Sequence, residues 1–345
     1  MRNRLAVPAA LLGLLALSLA VLAVRSSGKA SSDARAENGA EGAGFAALAV
    51  TPSPTVQAQQ SSARTLIVPQ VGSDGPPATV SLSASSVFQG GALLVRANNA
   101  VQGAVTVFGR TVPMAVTGDG LVAIVGFGTE DPAGSTWLSV DLLYASGEWD
   151  YVARTISVFR TDWTVDYIVI PPAPPPDPNE PPPPPAPPPP PDETPLLPNV
   201  YAQITPQKWT GGWAAPLPTP LRVTGYFGEQ RSFNGGPVQG HHGGTDLGAD
   251  AGTPIYASND GVVVMSGLYL VRGNLVVIDH GGGVFSLYGH MSERAVEVGD
   301  AVGKGQVIGY VGSTGLSTGP HLHWELSVFG VLVDGLRWLD GSQGF

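Results

Sequence analysis

Gly319-Pro320-His321-Leu322-His323-Trp324-Glu325-Leu326-Ser327-Val328 reads as a strand with two unlike faces. Residues two apart in a strand project to one side, so His321, His323 and Glu325 share a face while Leu322, Trp324, Leu326 and Val328 take the other. One face therefore lines a cleft and the other enters a core. Similar runs precede it: Arg222–Phe227, Gly261–Met265, Asn274–Asp279, Val284–Tyr288 and Gln306–Val311, each bounded by glycine-bearing turns. No amphipathic helix of four turns can be written after Tyr201, so residues 200–345 are expected to form an all-β domain.

All six histidines lie between His241 and His323. His242 and Asp246 are four apart, but Gly243 and Gly244 between them would cost a helix about 1 kcal/mol each, so a turn leading into a strand at Leu247 is expected. Imidazole and carboxylate donors together suit zinc, whose catalytic sites use three protein ligands and keep a fourth position for water. Spacing alone keeps Glu325 a rival ligand. His241 merely neighbours a better candidate, and His280 ends a strand before Gly281-Gly282-Gly283; both are read as structural. With no cysteine, a thiol nucleophile, a thiolate metal site, a lipidated N-terminal cysteine and disulfides are excluded. A net charge of -10 offers no footprint for a nucleic acid.

The preceding chain divides by composition. Arg2 and Arg4 flank an apolar run, Leu5 to Val24, which is longer than the usual signal-peptide core of roughly 7–15 residues and close to the roughly 20 that span a bilayer. Residues 1–24 are expected to be a signal-anchor or signal peptide, associating the protein with the membrane or exporting it to the cell wall. Residues 25–64, rich in Ala, Ser, Gly and Gln, read as a disordered tether. Residues 65–169 carry short strand runs such as Ala92–Arg96, Val105–Phe108, Leu121–Val125 and Trp137–Val140, which suggest a small antiparallel β-sandwich of spacer or packing character; its ligand is not legible. Residues 170–199 hold more than half of the 33 prolines. As polyproline II, at about 3.1 Å per residue, this linker could hold its flanking domains up to roughly 85 Å apart.

The string His242 to Asp246, the stretch Gly273-Asn274 through Ile278-Asp279-His280-Gly281, Tyr288-Gly289-His290-Met291-Ser292, and Val298 to Gly309 leading to Ser317-Thr318-Gly319-Pro320-His321-Leu322-His323-Trp324-Glu325 together resemble the lysostaphin-type, or LytM-like, family of peptidoglycan metallopeptidases. The resemblance covers roughly Thr224 to Leu339. It implies an antiparallel β-sheet groove with one Zn2+ on its floor, held by His242, Asp246 and His323. His290 and His321 would then be the catalytic acid/base and transition-state-stabilising pair, with Glu325 in an outer role. Asn274, Ser317 and Thr318 are candidate groove residues, the last two in a glycine-rich wall from Gly312 to Gly319. Val333-Asp334-Gly335 departs from the family, which often has proline after the aspartate. The sandwich more distantly resembles the immunoglobulin-like N-terminal domain of some such peptidases. The implied activity is extracytoplasmic zinc endopeptidase action on the stems or cross-bridges of peptidoglycan. Rivals are a noncatalytic wall-binding or hydrolase-activating module of the same fold, and a sugar-transport phosphocarrier, against which Asp246 and an exported location count.

Overall fold

The computed structural model describes residues 66–67, 76–169, 188–238 and 240–341. The expected N-terminal segment 1–24, the tether 25–64 and the first part of the proline-rich linker lie outside the described residues. Among the described residues no helix is long and apolar enough to cross a membrane.

Eleven strands precede the linker: β1 (Leu66–Ile67), β2 (Thr79–Leu82), β3 (Ser86–Phe88), β4 (Ala92–Asn98), β5 (Gln102–Val107), β6 (Arg110–Pro113), β7 (Ala115–Thr117), β8 (Gly120–Gly126), β9 (Gly134–Leu143), β10 (Trp149–Phe159) and β11 (Val165–Ile168). The first ten build two five-stranded sheets, ordered β1-β2-β4-β8-β7 and β3-β10-β9-β5-β6, and β11 stands outside both. Alternation drives this packing. In β5, Gly103, Val105 and Val107 are buried while their neighbours are exposed or half-buried. The sandwich departs from purely antiparallel order at one edge, where β3 pairs parallel with β10.

A single helical turn, α1 (Leu197–Tyr201), begins within the last residues of the linker, and among the described residues it is followed by strands β12 (Val223–Gly225), β13 (Gln230–Phe233), β14 (Thr245–Gly248), β15 (Pro254–Tyr256), β16 (Gly261–Tyr269), β17 (Gly273–Gly281), β18 (Val284–Arg294), β19 (Ala301–Val302), β20 (Val307–Val311), β21 (His321–Val328) and β22 (Val331–Val333). Their main sheet runs β12-β14-β21-β18-β17-β16-β19, with antiparallel neighbours throughout. β17 and the first eight residues of β18 are almost wholly buried because both faces are covered. Val276, Ile278, Val284 and Met291 join the main core with Leu322, Trp324 and Leu326. Leu275, Val277, Phe285 and Leu287 form a second layer beneath Leu197 and Tyr201 of α1.

The two domains are in contact, well inside the upper bound of roughly 85 Å that the linker's length sets. In β4 and β8, Leu93, Val95, Leu121, Ala123 and Val125 fill the sandwich interior, while Ala92, Leu94, Val122 and Ile124 belong to the core of the C-terminal domain. A strand buried on both faces loses its alternation, and burying the second face is what drives docking. Gly126 stands against β21 and β22, since a Cβ there would lie 3.2 Å from Val328, Val331 and Val333. β11 pairs with β13, and Trp163 packs edge-on against Phe227 and His241.

Candidate metal centre

Strand register assembles the site. β21 lies between β14 and β18, so His323 stands opposite Asp246 on one side and Gly289 on the other. His242 enters from the turn before β14, which passes over β21 so closely that a Cβ on Gly244 would stand 2.5 Å from the Trp324 carbonyl oxygen. Glycine is required there for that approach. His242 Nε2 lies 3.1 Å from His323 Nδ1 and 3.2 Å from Asp246 Oδ1, and His323 Nδ1 lies 2.8 Å from the same carboxylate oxygen. The three residues present one ligand atom each, all within 4.8 Å of one another.

Each donor is oriented from behind. His242 Nδ1 faces the Tyr226 carbonyl at 2.9 Å; a carbonyl only accepts, so Nδ1 carries the proton and Nε2 turns its lone pair inward. His323 Nε2 meets Glu325 Oε1 at 2.8 Å, which leaves Nδ1 for the centre. Asp246 Oδ2 accepts from Arg231 Nη2 at 2.5 Å, so Oδ1 is the inward oxygen. Burial pushes the Asp246 carboxyl up, but the adjoining His242 and His323 side chains outweigh it and hold it far below the usual range. Burial pushes the His242 imidazole down. His323 is raised: burial opposes its charge, and Asp246 and Glu325 override that. A cluster of this polarity attracts a cation.

His290 reaches the site through a backbone irregularity. Between the pairs Val276–Tyr288 and Asn274–Met291, two residues of β18, Gly289 and His290, oppose the single Leu275 of β17. The extra residue makes a bulge that re-aims a side chain, and His290 adopts φ 61°, a left-handed conformation that costs a non-glycine residue. Its ring sits 4.7 Å from that of His321 and 5.9 Å from that of His323. His290 Nδ1 faces the Thr314 carbonyl at 2.8 Å and His321 Nδ1 the Gly319 carbonyl at 2.8 Å. Both therefore keep an Nε2 lone pair when neutral, and His321 Nε2 lies 3.7 Å from Asp246 Oδ1. Burial lowers the His290 pKa to about 4, helped by the neighbouring His323.

The remaining sequence candidates take other places. His241 Nδ1 faces the Gly228 carbonyl and its Nε2 lies 2.7 Å from Glu130 of the sandwich. His280 is fully buried between the Asp260 carbonyl and the Ser286 hydroxyl. Asn274 commits its side-chain amide to the carbonyls of Met291 and Ser292, tying β17 to β18. Ser317 Oγ donates to the Gly319 carbonyl and lies 3.4 Å from His321 Nδ1, and Thr318 is exposed. Sequence reading passed over Arg231 and Arg272; a lone arginine has no spacing that marks it as a partner of a site carboxylate.

Residues 240–335 match the sequence profile of Peptidase family M23, and this span holds every residue of the cluster. The C-terminal domain is a peptidase family M23 domain. Over 122 residues the chain is 41% identical to the peptidoglycan DD-endopeptidase ShyA of Vibrio cholerae, a match covering 35% of this chain and 28% of that relative. Over 93 residues it is 49% identical to the DD-carboxypeptidase/endopeptidase Mpg of Neisseria meningitidis, covering 27% and 21% respectively. The chain thus spans well under half the length of these relatives. A solved structure of a peptidase M23 from Pseudomonas aeruginosa superposes with a TM-score of 0.51 at 23% identity, over 73% of this chain and 94% of that one. That likeness of fold extends beyond the M23 domain.

Proposed function

We propose that this chain is an extracytoplasmic zinc-dependent endopeptidase that cuts peptide bonds in bacterial peptidoglycan, acting on D,D cross-links as the names of its relatives suggest. The observation that carries the reading is the His242, Asp246 and His323 cluster flanked by the imidazoles of His290 and His321, each anchored through Nδ1 on a backbone carbonyl. Two imidazole nitrogens and one carboxylate oxygen fit zinc and leave a position open to solvent, and each donor has the backing partner such ligands usually have. The donor set therefore fits the metal.

His242 Nε2, Asp246 Oδ1 and His323 Nδ1 would hold the ion. When bound, it would supply Lewis acidity for a scissile carbonyl and acidify a water. A neutral His290 or His321 takes the proton from the attacking water at Nε2, and the protonated partner donates to the leaving amine or to the developing oxyanion. Their Nδ1–H groups stay on backbone carbonyls throughout, so neither ring has to turn. Ser317, Thr318 and Asn274 are proposed to border the groove. Residues 1–24 are proposed to carry the chain to the membrane or through it, and residues 170–199 to serve as a proline-rich arm.

Mass spectrometry of muropeptides released from purified walls, with and without a chelator, tests this reading. Cross-linked species should fall and their monomers rise, and chelation or Asp246→Ala should abolish the change. A protein that binds walls and zinc yet releases nothing would instead be the noncatalytic module of the same fold.

A further inference from the structure

Glu325 ends the row of β21 side chains that begins with His321 and His323, where that face passes from open cleft to covered layer. Four donor groups converge on its buried carboxylate. Oε1 accepts from His323 Nε2 at 2.8 Å and from Arg272 Nε and Nη2 at 2.9 and 2.5 Å, while Oε2 accepts from the buried Tyr201 hydroxyl at 3.1 Å. Arg272 is held in turn. Glu193, 0% exposed, accepts from the backbone N–H of Arg272 at 2.7 Å and of Val271 at 3.2 Å, and from Arg272 Nη1 at 3.4 Å. The Arg272 carbonyl accepts from the His290 N–H at 2.7 Å. One arginine thus touches the carboxylate behind His323 and the backbone of His290.

We propose that Glu193, near the C-terminal end of the proline-rich linker, and Tyr201, just beyond it, are positioning residues for the metal centre. They fix Arg272 and Glu325 so that His323 keeps its proton on Nε2 and presents Nδ1 to the site. The proposal rests on the reading of His242, Asp246 and His323 as ligands. A carboxylate behind a ligating imidazole fixes its tautomer and raises its basicity, and it does so only while the carboxylate itself cannot turn. Removing the Tyr201 hydroxyl leaves Oε2 buried without a donor, a state relieved only by rotating Glu325 and releasing His323. Lys208 supplies an internal control. It belongs to the same covering segment, but its ammonium donates to Asp279 Oδ2 at 2.9 Å, away from Glu325.

The test uses the 345-residue chain with Tyr201→Phe, Glu193→Gln and Lys208→Ala. Three readouts are taken: the zinc dissociation constant by competition with a chromophoric chelator, the absorption spectrum of the cobalt-substituted protein, and the melting temperature of the metal-free protein. Y201F and E193Q should each weaken zinc by about tenfold, the lower end of outer-shell effects, and alter the cobalt spectrum. K208A should lower the melting temperature and leave zinc affinity where it was. Unchanged zinc affinity and cobalt spectrum in both Y201F and E193Q would reduce the segment to packing and overturn the proposal. If the unsubstituted chain takes up no stoichiometric zinc, the ligand assignment itself fails, and that outcome is distinct from the first.

Discussion

The hairpin of β17 and β18 carries two histidines whose electrostatics look alike and whose situations do not. His280 and His290 both have pKa values lowered to about 4, chiefly by burial. Yet both nitrogens of His280 are spent, one on the Asp260 carbonyl at 2.8 Å and the other on the Ser286 hydroxyl at 2.7 Å, with Trp213 edge-on to the ring. His290 spends only Nδ1, and its ring lies beside those of His321 and His323. A perturbed pKa marks burial; an imidazole held beside the cluster on a strained backbone marks chemistry.

The strongest way to break that contrast is substitution. His290→Ala should keep bound metal and lose hydrolysis by about 10²–10⁴-fold, the usual worth of a general acid or base. His280→Gln should stay within about twofold of the unsubstituted rate, as measured by muropeptide release alongside metal content. Loss of metal in His290→Ala would recast it as a ligand, and a collapse of rate in His280→Gln would void the distinction.

A smaller effect tests the burial of His280 through pH. Burial holds His280 neutral in the folded chain, with a pKa of about 4 against an ordinary value of about 6.5. Between these values the unfolded chain binds the extra proton, so the stability present above pH 6.5 is lost as pH falls toward 4. The loss is on the order of 3 kcal/mol. Denaturant titrations from pH 7 to 4 should show a steeper fall for the unsubstituted protein than for His280→Gln; parallel curves would mean that His280 does not titrate in this way. Smaller still, Ser286→Ala removes one partner of His280 and should cost about 1–2 kcal/mol of stability. It should leave zinc affinity and hydrolysis alone, and a change in either would couple the buried network to the site.

Much of the C-terminal fold was legible because period-two alternation in β21 states both its faces, and because the chemistry-bearing residues fall in three short strings. The distinction between His280 and the others could be drawn from neighbouring glycines alone. The bulge at His290 could not, since a single inserted residue leaves no periodic trace. The docking of the sandwich left a mark that was read too narrowly. Leu121–Val125 and Ala92–Val95 are unbroken apolar runs where a half-buried strand would alternate, and a second covered face explains them. The linker's reach set only an upper bound on separation. Arg231, Arg272, Glu193 and Tyr201 act as single residues brought in from distant segments, and no local pattern announces them.

Because β21 gives its even positions to the main core and its first two odd positions, His321 and His323, to the cleft, folding and chemistry are written in the same eight residues. Deleting one residue just ahead of His321 would turn every side chain of the strand inside out at once. Imidazoles would be driven into oil and an indole into water, so this stretch cannot drift by insertion or deletion while the site survives.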